Sequence, residues 1–166
     1  MLTIYILSIE TIINASLDLT NKINPLYNLK PIINIENDFA GYSNLIFVFN
    51  ILFKNVIEHS KLENDKIKIK IESVIEDEKY VLIKFTNNLN PKHDYSSNIN
   101  KLETIKLNWN NHENIERSNK EGESGYDKIK RILIYEALAK TDKFEYKISK
   151  NSISITLYFP YNKAIE

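Results

Sequence analysis

The chain has 166 residues, equal numbers of basic and acidic side chains, and no cysteine. This length is enough for one domain with a buried core, and the lack of cysteine excludes disulfides and cysteine-bound metals. Zero net charge argues against general binding to nucleic acid or to an anionic membrane. The sequence also lacks the run of roughly 18 apolar residues that a membrane helix needs, and its N-terminus does not resemble a signal peptide. We therefore expect a cytoplasmic protein with no membrane segment.

Apolar periodicity predicts helices and strands in alternation along the first half of the chain. The first helix is expected within residues 1–25 and stops at Pro25, because proline lacks an amide donor. An isoleucine-rich strand is expected at 30–37, followed by a long apolar helix at 42–59. Two further strands are predicted at 66–75 and 79–88.

The pattern is lost in residues 89–124, which are polar and contain few apolar side chains. Loops this long in a compact domain are often functional lids, so we expect a lid here, with a short helix near 99–107. A helix at 125–142 and a hairpin of strands at 143–149 and 152–160 follow. The order of elements predicts a single domain over residues 1–166. Its fold is expected to be a two-layer α/β sandwich, with a mixed, mostly antiparallel sheet and helices on one face.

Four stretches, taken together, resemble the GHKL superfamily of ATPases, which includes gyrase, histidine kinases, mismatch-repair ATPases and the ninety-kilodalton heat-shock chaperones. The greatest similarity is to the ATP-binding domains of peptide-quorum sensor histidine kinases, where an asparagine often replaces an aspartate of the G1 motif. The resemblance implies a Bergerat-type fold that binds ATP or ADP with Mg²⁺. The stretches are NILFKNVIEHS for the N box, IKFTNNLNP for G1, SNKEGESGYDKIKRI for G2 and SISITLYFP for the last strand.

This resemblance assigns roles to five residues. It implies that Asn55 reaches the magnesium ion between the nucleotide phosphates and that His59, one turn later on the same helix face, packs on the adenine. Asn87 stands where the family has the aspartate that accepts a hydrogen bond from the adenine amine. Gly125 begins a helix whose free amides could face a phosphate, and Lys120 could reach the γ-phosphate.

The chain also departs from the family pattern. Leu89 and Pro91 replace both glycines of the G1 motif, and the Gly-x-Gly-Leu of G2 becomes Glu-Ser-Gly-Tyr, which ends at Tyr126. The hydrogen bond that Asn87 would accept from the adenine amine is neutral and contributes about 1 kcal/mol, whereas a bond to an aspartate contributes roughly 1.5–3 kcal/mol. Nucleotide binding is therefore expected to be roughly tenfold weaker than with aspartate. Ile51 occupies the position of the general-base carboxylate. We therefore expect weak nucleotide binding and poor hydrolysis, within a signalling or regulatory protein.

Three other interpretations stay open at this point. The chain could be a pseudo-ATPase that serves as an interaction or dimerisation module without nucleotide, with Asn55 and His59 only solvating a helix end and Lys120 a solvated loop residue. It could be a kinase that acts on a protein partner, which would require an intact Mg-ATP site. A nucleic-acid module is disfavoured, because the alternating lysines at 66–70 are typical of the solvent face of a strand. The partner and a homodimeric state are both left open.

Overall fold

The structure, a computed structural model, describes residues 6–36, 40–76, 80–109, 125–136 and 143–160. Four α-helices are found there, and the last of them continues into a short π-helix, Ile132–Glu136. The helices are α1 Ile9–Ile23, α2 Leu45–His59, α3 Ser96–Leu107 and α4 Gly125–Arg131. The strands are β1 Ile6–Ser8, β2 Ile32–Asn34, β3 Ala40–Tyr42, β4 Ile69–Glu76, β5 Tyr80–Asn88, β6 Phe144–Ile148 and β7 Ser152–Pro160.

The main sheet has five strands in the order β2-β4-β5-β7-β6. Only the β2–β4 pair is parallel, and the other neighbours are antiparallel. This arrangement confirms the predicted mixed, mostly antiparallel sheet. A second, two-stranded sheet joins β1 to β3, which the apolar pattern did not predict because each strand has only three residues.

One face of the main sheet is buried, and alternating residues of its strands point toward the core. Ile71, Phe85 and Ile155 lie side by side on β4, β5 and β7, and all three are buried. Phe53 of α2 meets Phe85 edge to face, with ring centroids 5.4 Å apart. The opposite face carries polar side chains such as Lys70, whose ammonium group lies 2.6 Å from Glu72. Lys66, Lys68 and Lys70 are all exposed, as their alternation predicts, but β4 begins only at Ile69 and Lys66 ends a short 3-10 helix, Asn64–Lys66.

A chain of buried hydrogen bonds joins α1 to α2. The Ser16 hydroxyl donates to the Ile46 carbonyl at 2.6 Å, and the Thr20 hydroxyl donates to the Ser16 carbonyl at 2.9 Å. Asn50 of α2 then donates from its amide nitrogen to the Thr20 hydroxyl at 2.8 Å. Ser16 and Thr20 are buried, and these bonds pair their polar groups. Because any rotation of α2 about its axis would break the bonds, they hold the face with Asn50 toward α1.

Some element boundaries differ from the sequence predictions. The first helix begins at Ile9, where the Ser8 hydroxyl accepts a hydrogen bond from the Thr11 amide and caps the helix. Within the predicted lid, α3 starts at Ser96, whose amide donates to the Asp94 carboxylate. The helix predicted at 125–142 changes to π geometry after Arg131, and residues 137–142 lie outside the described part of the chain. No helix in the described residues is both long and apolar enough to cross a membrane.

Candidate functional site

A cavity of about 250 Å³ lies among the C-terminal half of α2, the end of β5, α3, the start of α4 and β7. Its base is apolar and includes Phe85, Leu102 and Ile155. Its polar wall brings together four of the five residues that the sequence pointed to: Asn55, His59, Asn87 and Gly125. The fifth, Lys120, lies outside the described residues.

Asn55 lies on α2 in the wall of the cavity, one turn before His59. Its amide nitrogen is buried and makes no hydrogen bond of standard geometry within the described part of the chain. Tyr126 lines the same cavity. Burial raises the pKa of Tyr126 to about 12, and the Asn55 amide offsets part of that rise.

Gly125 lies at the first turn of α4, pressed against α2. A Cβ atom added there would be 2.7 Å from Cγ2 of Ile51 and 3.5 Å from the side-chain oxygen of Asn55. Carbon atoms do not approach this closely, so any other residue at position 125 requires that the Ile51 side chain or the backbone of α4 shift. The sequence identified this glycine through a motif, and the structure supplies a packing reason for it.

Asn50 and Lys54, the two polar residues that flank Ile51 on α2, do not line the cavity. Asn50 is bonded to Thr20 on the α1 side, and the exposed Lys54 pairs with Glu58 at 3.5 Å. Glu58 is the one carboxylate among the described cavity residues. It follows Asn55 on the helix, whereas the family's general base comes one turn before that asparagine.

Asn87 is buried near the end of β5, in register with Ile69 and Ile153 on the neighbouring strands. Its amide nitrogen donates to the Asn88 carbonyl oxygen at 2.8 Å. This bond fixes the orientation of the amide, because the opposite orientation would bring two oxygen acceptors together. The group that Asn87 can offer to a ligand is therefore its carbonyl oxygen, an acceptor.

His59 is at the rim of the cavity, with about half of its side chain exposed. Its pKa is lowered, chiefly by desolvation; Glu58 acts to raise it, while Lys61 and Lys101 lower it further. A base with a lowered pKa in the folded state is harder to protonate there than in the unfolded chain. Its contribution to stability is therefore present above the unfolded pKa and is lost as pH falls through the folded one. The neutral ring is the form suited to stacking.

The cavity residues that sequence reasoning missed include Tyr95, Lys101 and Tyr126. The Tyr95 hydroxyl donates to the Ser60 carbonyl at 2.7 Å and accepts from the Asn90 amide at 3.1 Å, which ties the loop after β5 to the end of α2. Only Tyr126 had a local signal, its place directly after Gly125. The other two lie in a segment without clear periodicity, so only the fold reveals their position.

We expect the Lys101→Met variant to raise the pKa of His59, because the substitution removes a positive charge that disfavours the imidazolium. An NMR titration of the His59 ring protons measures the midpoint in each protein. Lys106→Met is the matched control, since Lys106 lies on the same helix but over the ring of Tyr146. An unchanged His59 midpoint in Lys101→Met would show that the charge of Lys101 does not lower the pKa of His59.

We expect Gly125→Ala to lower the free energy of unfolding by about 1–3 kcal/mol, the usual cost of overpacking. Without a clash, alanine would instead stabilise the chain by about 0.4–1 kcal/mol. Urea denaturation of Gly125→Ala, Ile51→Ala and the double variant tests the cause. The alanine should cost clearly less in the Ile51→Ala background, and strictly additive effects would show that the contact with Ile51 is not responsible.

Comparison with known proteins gives the family of this chain. Residues 8–161 match the family model described as "y4jQ C-terminal putative histidine kinase domain". Among curated proteins, none matches the chain.

Solved structures with this fold include several histidine kinases. The nucleotide-free catalytic domain of ThkA has a TM-score of 0.60 and 16% identity, over 96% of this chain and 97% of that one. AdeS from Acinetobacter baumannii has a TM-score of 0.58 and 12% identity, over 98% and 70% of the two chains. The mycobacterial sensor kinase MprB has a TM-score of 0.56 and 12% identity, over 96% and 100%. The chain therefore belongs to the y4jQ C-terminal domain family and has the GHKL-type fold of histidine kinase catalytic domains.

Proposed function

We propose that this chain is an ATP-binding domain of the histidine kinase type that binds ATP or ADP weakly with Mg²⁺ and hydrolyses ATP poorly. One observation carries the proposal. Asn55, His59, Asn87 and Gly125 come from three separate parts of the sequence, and all four line one cavity. We further propose that residues 1–166 form one domain of a cytoplasmic signalling or regulatory protein, with 89–124 as its lid.

The base of the nucleotide is proposed to bind between the apolar floor and Asn87. The fixed carbonyl oxygen of Asn87 suits a ligand that donates a hydrogen bond, such as the 6-amino group of adenine. His59 at the rim can cover one face of the base, and its lowered pKa favours the neutral ring. The apolar base of the cavity would limit the access of water to these contacts, which would strengthen each hydrogen bond.

The phosphates are proposed to extend toward Asn55 and Gly125. Amides at the start of a helix attract anions, and Lys120 remains a proposed ligand of the γ-phosphate. Mg²⁺ fits here, because it commonly takes one or two protein oxygens together with phosphate oxygens and water. Gly125 lacks the side chain that would cover the Asn55 oxygen. Bound at this point, Mg²⁺ would neutralise charge on the phosphates.

Poor hydrolysis is proposed from the groups around this end of the cavity. Ile51 cannot accept a proton, and Glu58 pairs with Lys54 and lies 3.9 Å from the His59 ring. General-base catalysis requires an acceptor within hydrogen-bond reach of the attacking water. The alternative is an interaction module without nucleotide, which the loss of the G1 glycines to Leu89 and Pro91 favours.

Titration calorimetry with a non-hydrolysable ATP analogue tests the proposal. We expect Mg²⁺-dependent binding by the natural chain and a loss of that dependence in Asn55→Ala, because the metal loses its protein oxygen. Asn50→Ala is the matched control on the same helix, since Asn50 bonds to α1 and not to the cavity. If millimolar nucleotide produced neither heat nor a shift in melting temperature, the ATP-binding proposal would be wrong and the interaction module would take its place.

The orientation of Asn87 also predicts base selectivity. Inosine triphosphate differs from ATP in carrying a 6-oxo acceptor, which would face the carbonyl oxygen of Asn87. We expect it to bind at least about tenfold more weakly than ATP, because an acceptor would be left unpaired in a buried site. Competition against a fluorescent ATP analogue measures the ratio. Asn87→Ala should reduce the preference for ATP over inosine triphosphate, and the control Asn98→Ala, on α3, should leave that preference unchanged. Equal binding of both nucleotides by the natural chain would refute the role assigned to Asn87.

A further inference from the structure

We propose that Tyr95 is a positioning residue, whose hydroxyl holds the start of α3 against the end of α2 and so keeps the face of α3 that lines the nucleotide cavity beside His59. This inference rests on the proposed function for its effect on nucleotide binding, whereas the positioning itself can be measured without a ligand. Tyr95 lies outside all four stretches that carry the family resemblance, so no motif assigns it a role.

Two hydrogen bonds at the Tyr95 hydroxyl join three segments of the chain. The hydroxyl donates to the Ser60 carbonyl at 2.7 Å, at the end of α2, and accepts from the Asn90 amide at 3.1 Å, in the loop after β5. Both directions are fixed, because a carbonyl oxygen can only accept and a backbone amide can only donate. The Asn90 side-chain nitrogen also donates to the Lys61 carbonyl at 2.9 Å. The hydroxyl therefore adds α3 to a junction that the loop and the end of α2 already form.

Polar contacts matter for α3 because the helix buries little. Leu102 is its one buried side chain. Near its middle, the Glu103 carboxylate accepts a hydrogen bond from the Tyr146 hydroxyl of β6, and Trp109, just beyond the helix, stacks on a ring of the same strand. These contacts hold the middle and the far end of α3 on β6, and the Tyr95 hydroxyl ties the near end to α2.

One face of α3 lines the cavity. Its members are spaced by three or four residues, so a tilt or rotation of the helix moves them together. They are Tyr95, Asn98, Lys101, Leu102 and Ile105. Tyr95 is the N-cap residue of the helix, so its bond to α2 fixes the near end of this face.

The carbonyl that accepts from Tyr95 belongs to the residue next to His59, so the tie acts directly beside the ring that is proposed to cover the base. Desolvation is the main cause of the lowered pKa of His59, and the charges of Lys61 and Lys101 lower it further against the opposing effect of Glu58. The effect of Lys101 depends on how close α3 lies to the ring. The titration of His59 therefore reports the position of α3.

The first test is an NMR titration of His59 in Tyr95→Phe without ligand. Phenylalanine keeps the ring and removes a neutral hydroxyl, so no charge near His59 changes. The Asn90 amide can still donate to the Ser60 carbonyl, at 3.0 Å, so the loop should stay bonded to α2. We expect the His59 midpoint to rise, because a freer α3 carries the Lys101 charge away from the ring. In a Lys101→Met background the same substitution should raise the midpoint clearly less.

Tyr146→Phe is the matched control. It also deletes a hydroxyl that bonds to α3, but that hydroxyl contacts Glu103, and Tyr146 is not among the described residues that line the cavity. Its His59 midpoint should equal that of the natural chain. Urea denaturation of both variants checks that each is folded. A variant that merely loosened the fold would lower the stability without moving the His59 midpoint.

The second test is the affinity for a non-hydrolysable ATP analogue, measured by calorimetry. We expect Tyr95→Phe to bind about fivefold more weakly, the effect of losing one neutral hydrogen bond, because the ligand must then hold the cavity face of α3 in place by itself. Tyr146→Phe should bind as tightly as the natural chain does.

The two measurements separate the possible outcomes. An unchanged His59 midpoint in Tyr95→Phe, an equal rise in Tyr146→Phe, or a raised midpoint with unchanged nucleotide affinity would overturn the inference alone. No nucleotide binding by the natural chain would overturn the proposed function and with it the role of Tyr95 in binding, while the titration would still show whether Tyr95 holds α3. A raised midpoint together with weaker binding, in Tyr95→Phe and not in Tyr146→Phe, would support both.

Discussion

The close approach of α4 to α2 at Gly125 is the contact on which the candidate site depends. A Cβ atom at this position would lie 2.7 Å from Cγ2 of Ile51, so glycine allows the two helices to approach this closely without a shift of that side chain. Gly125, Tyr126 and Asn55 line the cavity beside that contact, and the Tyr126 ring meets Phe144, which stacks on Trp109.

The chemistry of the cavity is largely neutral. Asn55 and Asn87 offer amides, His59 has a lowered pKa, and Glu58 and Lys101 are the charged side chains among the described residues that line it. Neutral hydrogen bonds contribute about 1 kcal/mol each, so such a site recognises shape and hydrogen-bond direction more than charge. The direction is well defined at Asn87, because its nitrogen is committed to the Asn88 carbonyl. These groups are consistent with the weak but selective binding that we propose.

The loop after β5 lacks the G1 glycines of the GHKL family and is held by other contacts. Leu89 is buried and its amide donates to the Asn151 carbonyl at 2.8 Å, while the Asn90 amide donates to the Ser60 carbonyl at 3.0 Å. Tyr95 adds a hydroxyl bridge between the same segments. Backbone hydrogen bonds and one buried leucine therefore anchor the loop. These bonds hold the loop against the end of α2, and the helix that follows the loop, α3, lines the cavity.

The sequence by itself determined the main elements and the placement of Asn55 and His59 on one helix face, because periodicity and a four-residue spacing are local properties. It also identified Asn87 and Gly125 through short motifs. Only the tertiary structure decided that these residues share a cavity and that Tyr95 and Tyr126 belong to it. The orientation of the Asn87 amide and the need for glycine beside Ile51 were likewise decided there. These features depend on contacts between residues far apart in the chain, which no local pattern encodes.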